Sequence, residues 1–135
     1  MTVTPFPHPP VGDRPGGSTP RALTVSCRTR TGTAGPEATI AVRGDVDAAN
    51  VREFAHTVRE AADSCSSVVL DLSEVAFMAF DGVSALYAIS AHLLREGAQW
   101  CVVPSAGVAR VLALCDPEGL IPQVQVSSLR GAEPA

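Results

Sequence analysis

The chain contains no lysine; all ten of its basic side chains are arginine. That removes the phosphate-binding lysine of a P-loop and the amine that a Schiff base requires. An excess of positive charge is also missing, since the net charge is −4. Without a basic face there is nothing to displace counterions from nucleic acid or to dock on anionic lipid, so neither nucleic acid nor membrane is expected as a partner. No window approaches the roughly 18 uninterrupted apolar residues of a spanning helix, and no basic segment followed by an apolar run opens the chain. A cytoplasmic protein is expected. Aromatic residues make up only 4% of a chain that is 46% hydrophobic, so its core must be built from Val, Leu, Ile and Ala. Its 135 residues suit one domain with one core.

Chemistry is sparse as well. The four cysteines, Cys27, Cys65, Cys101 and Cys115, lie far apart with no C-x-x-C spacing, which leaves no zinc site and makes buried thiols the plain expectation. There is no G-x-S-x-G elbow and no His or Cys paired with a serine, so no catalytic residue, metal or cofactor is expected. His8, His56 and His92 lack partners at ligand spacing, and with Trp100 they read as packed or solvated side chains. If the strands carrying Cys65 and Cys101 are neighbours, these two thiols form a possible redox pair, since pairing needs Cα atoms within about 7 Å.

What is present is organised around residues 68–94. Val68, Val69 and Leu70 form a short β-branched run that reads as a buried parallel strand, followed at once by Asp71. A loop is expected over residues 73–80, and Asp81-Gly82 then opens a helix, with Asp81 as its cap. Val83, Leu86, Tyr87, Ser90, Leu93 and Leu94 fall on one helical face.

Upstream, residues 1–20 hold six Pro and three Gly and read as a disordered tail. Residues 22–28 and 38–43 alternate apolar and polar, which predicts a hairpin around the turn material of residues 29–36. Asp47 is placed to cap the next helix with Asn50 at its third position, and Val51, Phe54, Ala55, Val58 and Ala62 make that helix's inner face. Downstream, residues 100–103 form another buried strand. Ser105 caps a third helix with Val108, Val111, Leu112 and Cys115 inward, and residues 122–126 make a last short strand. Strand–helix alternation after a hairpin defines an α/β class with a mixed sheet.

Carboxylates gather where strands end: Asp45, Asp47, Asp71, Glu74 and Asp81. That edge of an open α/β sheet is where ligands bind. Metal chemistry at Asp45, Asp71 and Asp81 competes with structural duties, because Asp47 and Asp81 suit helix caps and Asp71 suits the turn after its strand.

The residues Arg43-Gly44-Asp45-Val46-Asp47 with Asn50, then Val68-Val69-Leu70-Asp71-Leu72-Ser73-Glu74-Val75, Phe77-Met78, Gly82, Ala85-Leu86, Gly97, Ser105 and Arg110-Val111-Leu112 together resemble a STAS domain, as found in bacterial anti-sigma factor antagonists. The resemblance runs from about residue 21 to 129. It implies a single α/β domain, a STAS-like mixed sheet covered by helices, with tails at residues 1–20 and 130–135. It also implies a binding module with no catalytic role, whose partner is a kinase-like anti-sigma factor and which thereby regulates a sigma factor. Contact residues implied are Asp45, Asp47, Asn50, Ala79, Phe80, Asp81, Gly82, Val83 and Ser84. In that family a serine in an Asp-Ser-Ser-Gly motif accepts phosphate from the kinase. Here the motif reads Ala79-Phe80-Asp81-Gly82, so Asp81 stands at the acceptor position and the phosphorylation switch is not expected. The alternative is a stand-alone STAS scaffold in another assembly, of stressosome or lipid-transport type.

Overall fold

A computed structural model describes residues 2–5 and 22–124. In chain order the elements are β1 (Thr2–Pro5), β2 (Thr24–Gly32), β3 (Gly35–Val46), α1 (Val51–Ala61), β4 (Ser67–Met78), α2 (Phe80–Arg95), β5 (Gln99–Pro104) and α3 (Ala106–Cys115). The strands make one mixed sheet in the order β1-β2-β3-β4-β5. The first two pairings are antiparallel and the last two parallel.

The hairpin is longer than its hydrophobic alternation suggests. Its ladder runs to Gly32↔Gly35, so only residues 33 and 34 turn. Gly35 has φ +129°, a backbone that a side chain would strain. Beyond the core the two strands hold each other through exposed pairs, among them Arg30 Nε with Glu37 Oε1 at 3.0 Å. The tail expected over residues 1–20 begins instead with β1, which pairs with β2 from Thr2↔Cys27 to Pro5↔Thr24. Residues 6–20 and the tail at 130–135 lie outside the described residues.

All three helices pack on one face. Phe54 and Val58 of α1, Val83, Leu86, Ile89 and Leu93 of α2, and Val108 and Leu112 of α3 share one buried cluster with Val25, Ile40, Val42, Val68, Leu70, Leu72 and Val102 of the sheet. The α2 stripe is rotated from the predicted one. Ala85 and Ile89 are buried, while Leu94 is 69% exposed. Ser105 caps α3 as its sequence predicts: its Oγ accepts from Val108 N–H at 3.0 Å and donates to the Val75 carbonyl at 2.6 Å. Of the last strand expected over residues 122–126, the described residues form a parallel bridge, Val102↔Gln123, flanked by bonds of 2.7 and 2.9 Å to Pro122 and Val124, and residues 125 and 126 lie outside the described residues.

The central strand corrects the sequence most. Residues 73–78 are strand, continuous with 67–72, where a loop was expected. Buried positions run Val68, Leu70, Leu72, then Val75, then Met78. Each step of three marks an extra residue. The β3–β4 register slips between Ala41/Arg43 and again between Gly44/Asp45, so β4 carries two bulges. Each bulge flips the pleat, which keeps Val75 and Met78 in the core and turns Ser73, Glu74, Ala76 and Phe77 outward.

Candidate functional site

The parallel strands β3 and β4 end side by side. Their last register pairs are Asp45↔Phe77 and Val46↔Met78, and the Ala79 N–H closes the junction by donating to the Val46 carbonyl at 2.8 Å. The chain then turns directly into α2. Its N-cap is Ala79, with no side-chain cap, which corrects the expectation for Asp81. Asp81 is exposed in the first turn, where its carboxylate lies near the positive end of the helix dipole.

Gly82 explains why α2 can start so close to the sheet. A Cβ there would come within 2.5 Å of Met78 Cγ and 3.2 Å of Val46 Cγ1. The absent side chain seats the first turn on the strand ends. A similar contact brings in α3: a Cβ on Gly107 would lie 2.5 Å from the Ala76 carbonyl oxygen. Two glycines and the Ser105–Val75 bond thus gather two helix starts at the carboxyl end of β4.

The loop between β3 and α1 is held by two side chains. Asp47 Oδ1 accepts from the N–H groups of Ala49 and Asn50, at 2.9 and 3.1 Å. Asn50 Oδ1 accepts from Asp47 N–H at 3.0 Å, and Asn50 Nδ2 donates to the Asp45 carbonyl at 2.9 Å. Asp47 and Asn50 therefore bond reciprocally across the loop, but the N-cap of α1 is Asn50 with no side-chain cap, which corrects the expectation that Asp47 caps this helix with Asn50 at its third position. Asn50 is only 3% exposed. It shapes the loop from beneath.

Of the site residues read from the sequence, the fold brings Asp45, Asp47, Ala79, Phe80 and Asp81 to one end of the sheet. Phe80 is exposed at 65%, and Ser84 is exposed one helical turn on. Gly82 and Val83 are buried under this surface. Phe77, at 53%, is the exposed residue that sequence reasoning missed as a surface group. Only the bulges that reverse its direction could have shown it, and they leave no local signal.

Asp71 does not join this group. It pairs in register with Ala41, on the sheet face away from the helices, and its Oδ1 is engaged by Ser73 N–H and Oγ at 2.9 and 2.6 Å. Asp45, Asp71 and Asp81 therefore do not converge. Among the described residues, no three His, Cys, Asp or Glu side chains are arranged to hold a metal.

The proposed thiol pair is not brought together either. Cys65 is buried in the helix-side core, whereas Cys101 is in register with Val69, whose neighbours Val68 and Trp100 face that core. The strand period of two sends Cys101 to the other side. All four cysteines are free thiols. Burial raises the pKa of Cys27, Cys65 and Cys101, and the charges of Cys65 and Asp63 add to the rise at Cys27 and Cys65 respectively.

This geometry defines a class: a small α/β domain that offers a rigid, mixed aromatic and acidic surface where parallel strands end and a helix begins. A family profile described as "Mlab, STAS domain" matches residues 29–122, and the chain belongs to the STAS domain family. It is similar in fold to the crystal structure of an anti-sigma factor antagonist from Mycobacterium paratuberculosis, with a TM-score of 0.62 and 21% identity. That match covers 78% of this chain and 92% of the other. It is likewise similar to the unphosphorylated form of the anti-sigma factor antagonist SpoIIAA, with a TM-score of 0.57 and 15% identity over 80% of this chain and 99% of that one. In sequence it is 35% identical over 78 residues, 57% of its length, to Osmosensory protein A of Mycobacterium tuberculosis (strain ATCC 25618 / H37Rv). The chain spans about half the length of that relative, 49%. No described helix is long and apolar enough to cross a membrane.

Proposed function

We propose that this chain is a cytoplasmic binding module of the anti-sigma factor antagonist type. It regulates a sigma factor by engaging a kinase-like anti-sigma factor, and it catalyses no reaction itself. The observation that carries the reading is Phe80, 65% exposed in the first turn of α2 beside Asp81. A large aromatic left in water on a rigid junction is the usual anchor of a protein interface. The fold shared with two anti-sigma factor antagonists supports the partner class. Phe77, Asp45 and the loop braced by Asp47 and Asn50 complete the contact surface.

In this reading the module is not switched by serine phosphorylation. Asp81 carries no hydroxyl to accept a phosphoryl group. Its charge of −1 on a short arm reproduces only part of a phosphoserine, which brings about −1.5 to −2 and three acceptor oxygens. The helix N-terminus also offsets part of that charge, so the module binds constitutively.

The test is calorimetric titration with kinase-like anti-sigma factors from the same organism. Wild type binds one of them without nucleotide, and Phe80→Ala weakens that binding by about thirtyfold, or 2 kcal/mol, with the melting temperature held. Binding to none of them would leave the scaffold alternative. Unchanged affinity of Phe80→Ala would move the interface elsewhere.

A further inference from the structure

The sheet face away from the helices carries an open depression of about 320 Å³, of mixed polar and apolar lining, formed by Ser26, Cys27, Arg28, Thr39, Ala41 and Asp71. Register explains its shape. Ser26 pairs with Ala41, which pairs with Asp71, and Arg28 pairs with Thr39. Side chains in register point to the same side of a sheet. Ala41 therefore forms the floor of the depression, because its methyl group is shorter than every neighbour on that face. Ser26 and Thr39 place hydroxyls at its rim.

The charged groups stand at opposite corners. Arg28 makes no ion pair among the described residues, while Arg30 and Arg43 each have a carboxylate partner. Asp71 spends Oδ1 on Ser73, which fixes the carboxylate and leaves Oδ2 for a ligand. Two strands and two residues separate Arg28 from Asp71, about 12 Å between Cα atoms from standard sheet spacings. That span admits a molecule of a few atoms between the two heads.

We infer that this depression binds a small zwitterion, a primary ammonium and a carboxylate separated by a few carbons. The ligand carboxylate takes the Arg28 guanidinium as a two-point fork. Its ammonium donates to Asp71 Oδ2, and the hydroxyls of Ser26 and Thr39 serve the polar atoms between. A volume near the lower end of ordinary ligand sites suits a ligand of this size. The site is separate from the surface at Phe77 and Phe80 and does not depend on how that surface is read.

The experiment is an amide NMR titration of the full chain with 4-aminobutyrate, with butyrate and butylammonium as one-charge controls. Expected are saturable shifts at Ser26, Arg28, Thr39, Ala41 and Asp71. Binding of either control is about tenfold weaker or worse, the scale of one charge-assisted hydrogen bond. Arg28→Gln and Asp71→Asn each lower affinity by about as much. Ala41→Leu fills the floor and removes binding, with the folded spectrum and melting temperature serving as the structural control. Absence of saturable shifts at millimolar ligand would overturn the site. So would butyrate binding as well as 4-aminobutyrate, or full affinity retained by Arg28→Gln.

Discussion

The Tyr87 hydroxyl, on α2, donates to Asp116 Oδ1 at 2.8 Å, joining the middle of one helix to the end of another. Asp116 is 4% exposed and accepts two more bonds, from Leu120 N–H at 3.0 Å and Ile121 N–H at 2.8 Å. Burial works against its charge, but the bonds from Ile121, Tyr87 and Leu120 outweigh it and hold its pKa below the usual carboxylate value. The same bond, with burial and the Asp116 charge added, raises the Tyr87 pKa. This network directs the chain from α3 towards the bridge beside β5.

Its pH dependence has a definite sign. A lowered folded pKa gives stability that is complete above the unfolded carboxylate value of about 3.9 and is lost as pH falls through the folded pKa. A raised phenol pKa gives stability that is complete below the unfolded value of about 10 and is lost as pH rises through the folded pKa. Tyr87→Phe should flatten both limbs and cost about 1–2 kcal/mol near neutrality, read by urea melts across pH. Asp116→Ala should cost about 3 kcal/mol, because it leaves the buried N–H of Ile121, the part-buried N–H of Leu120 and the Tyr87 hydroxyl without their acceptor. Melts of Tyr87→Phe that follow wild type at both pH extremes would show the bond to be energetically idle.

The glycines make a ranked prediction. At Gly82 an added Cβ meets the flexible Met78 side chain, but at Gly107 it meets the backbone carbonyl of Ala76. Gly82→Ala should cost about 1–2 kcal/mol after its gain in helix propensity. Gly107→Ala should cost more, since a strand carbonyl cannot change rotamer. Equal costs in denaturant melts would refute the ranking.

Asn50→Ala should be strongly destabilising for a loop position, by about 2–3 kcal/mol, because Asp47 N–H and the Asp45 carbonyl lose their buried partner. Asp47→Ala removes a more exposed brace and should cost about 1 kcal/mol. Hydrogen exchange at Asp47 and Asn50 distinguishes the two variants.

Asp81→Ser should create a phosphate acceptor at the start of α2. Incubated with the cognate kinase and ATP, the variant should gain one phosphate and the wild type none, by intact mass. Phosphate on the wild type would remove the basis for constitutive binding.

The order of strands and helices was legible because apolar residues recur at two and at three to four along most of the chain. Ile40 and Val42, Phe54 and Val58, and Val108 and Leu112 all lie where that spacing puts them. The last third of β4 was not legible. Val75 and Met78 step by three, a spacing that fits a loop or helix unless the partner strand's register is known. The exposure of Phe77 was hidden with it. The resemblance put Asn50 among the contact residues, whereas it is buried, and no sequence pattern shows the Asp45 carbonyl that its side chain meets. The face of Cys101 depended on its register against Val69, which no local pattern contains.

Under the proposed function, the reciprocal bonds of Asp47 and Asn50 also set the tempo of recognition. A loop already tied to its own backbone has little conformational freedom left to lose when another molecule arrives. The remaining ordering falls on Phe77 and Phe80, at about 0.5–1.5 kcal/mol for each side chain immobilised. On that proposal, encounter on this surface is the docking of two preformed shapes, and exchange between partners is governed by how long each complex lasts rather than by how fast it forms.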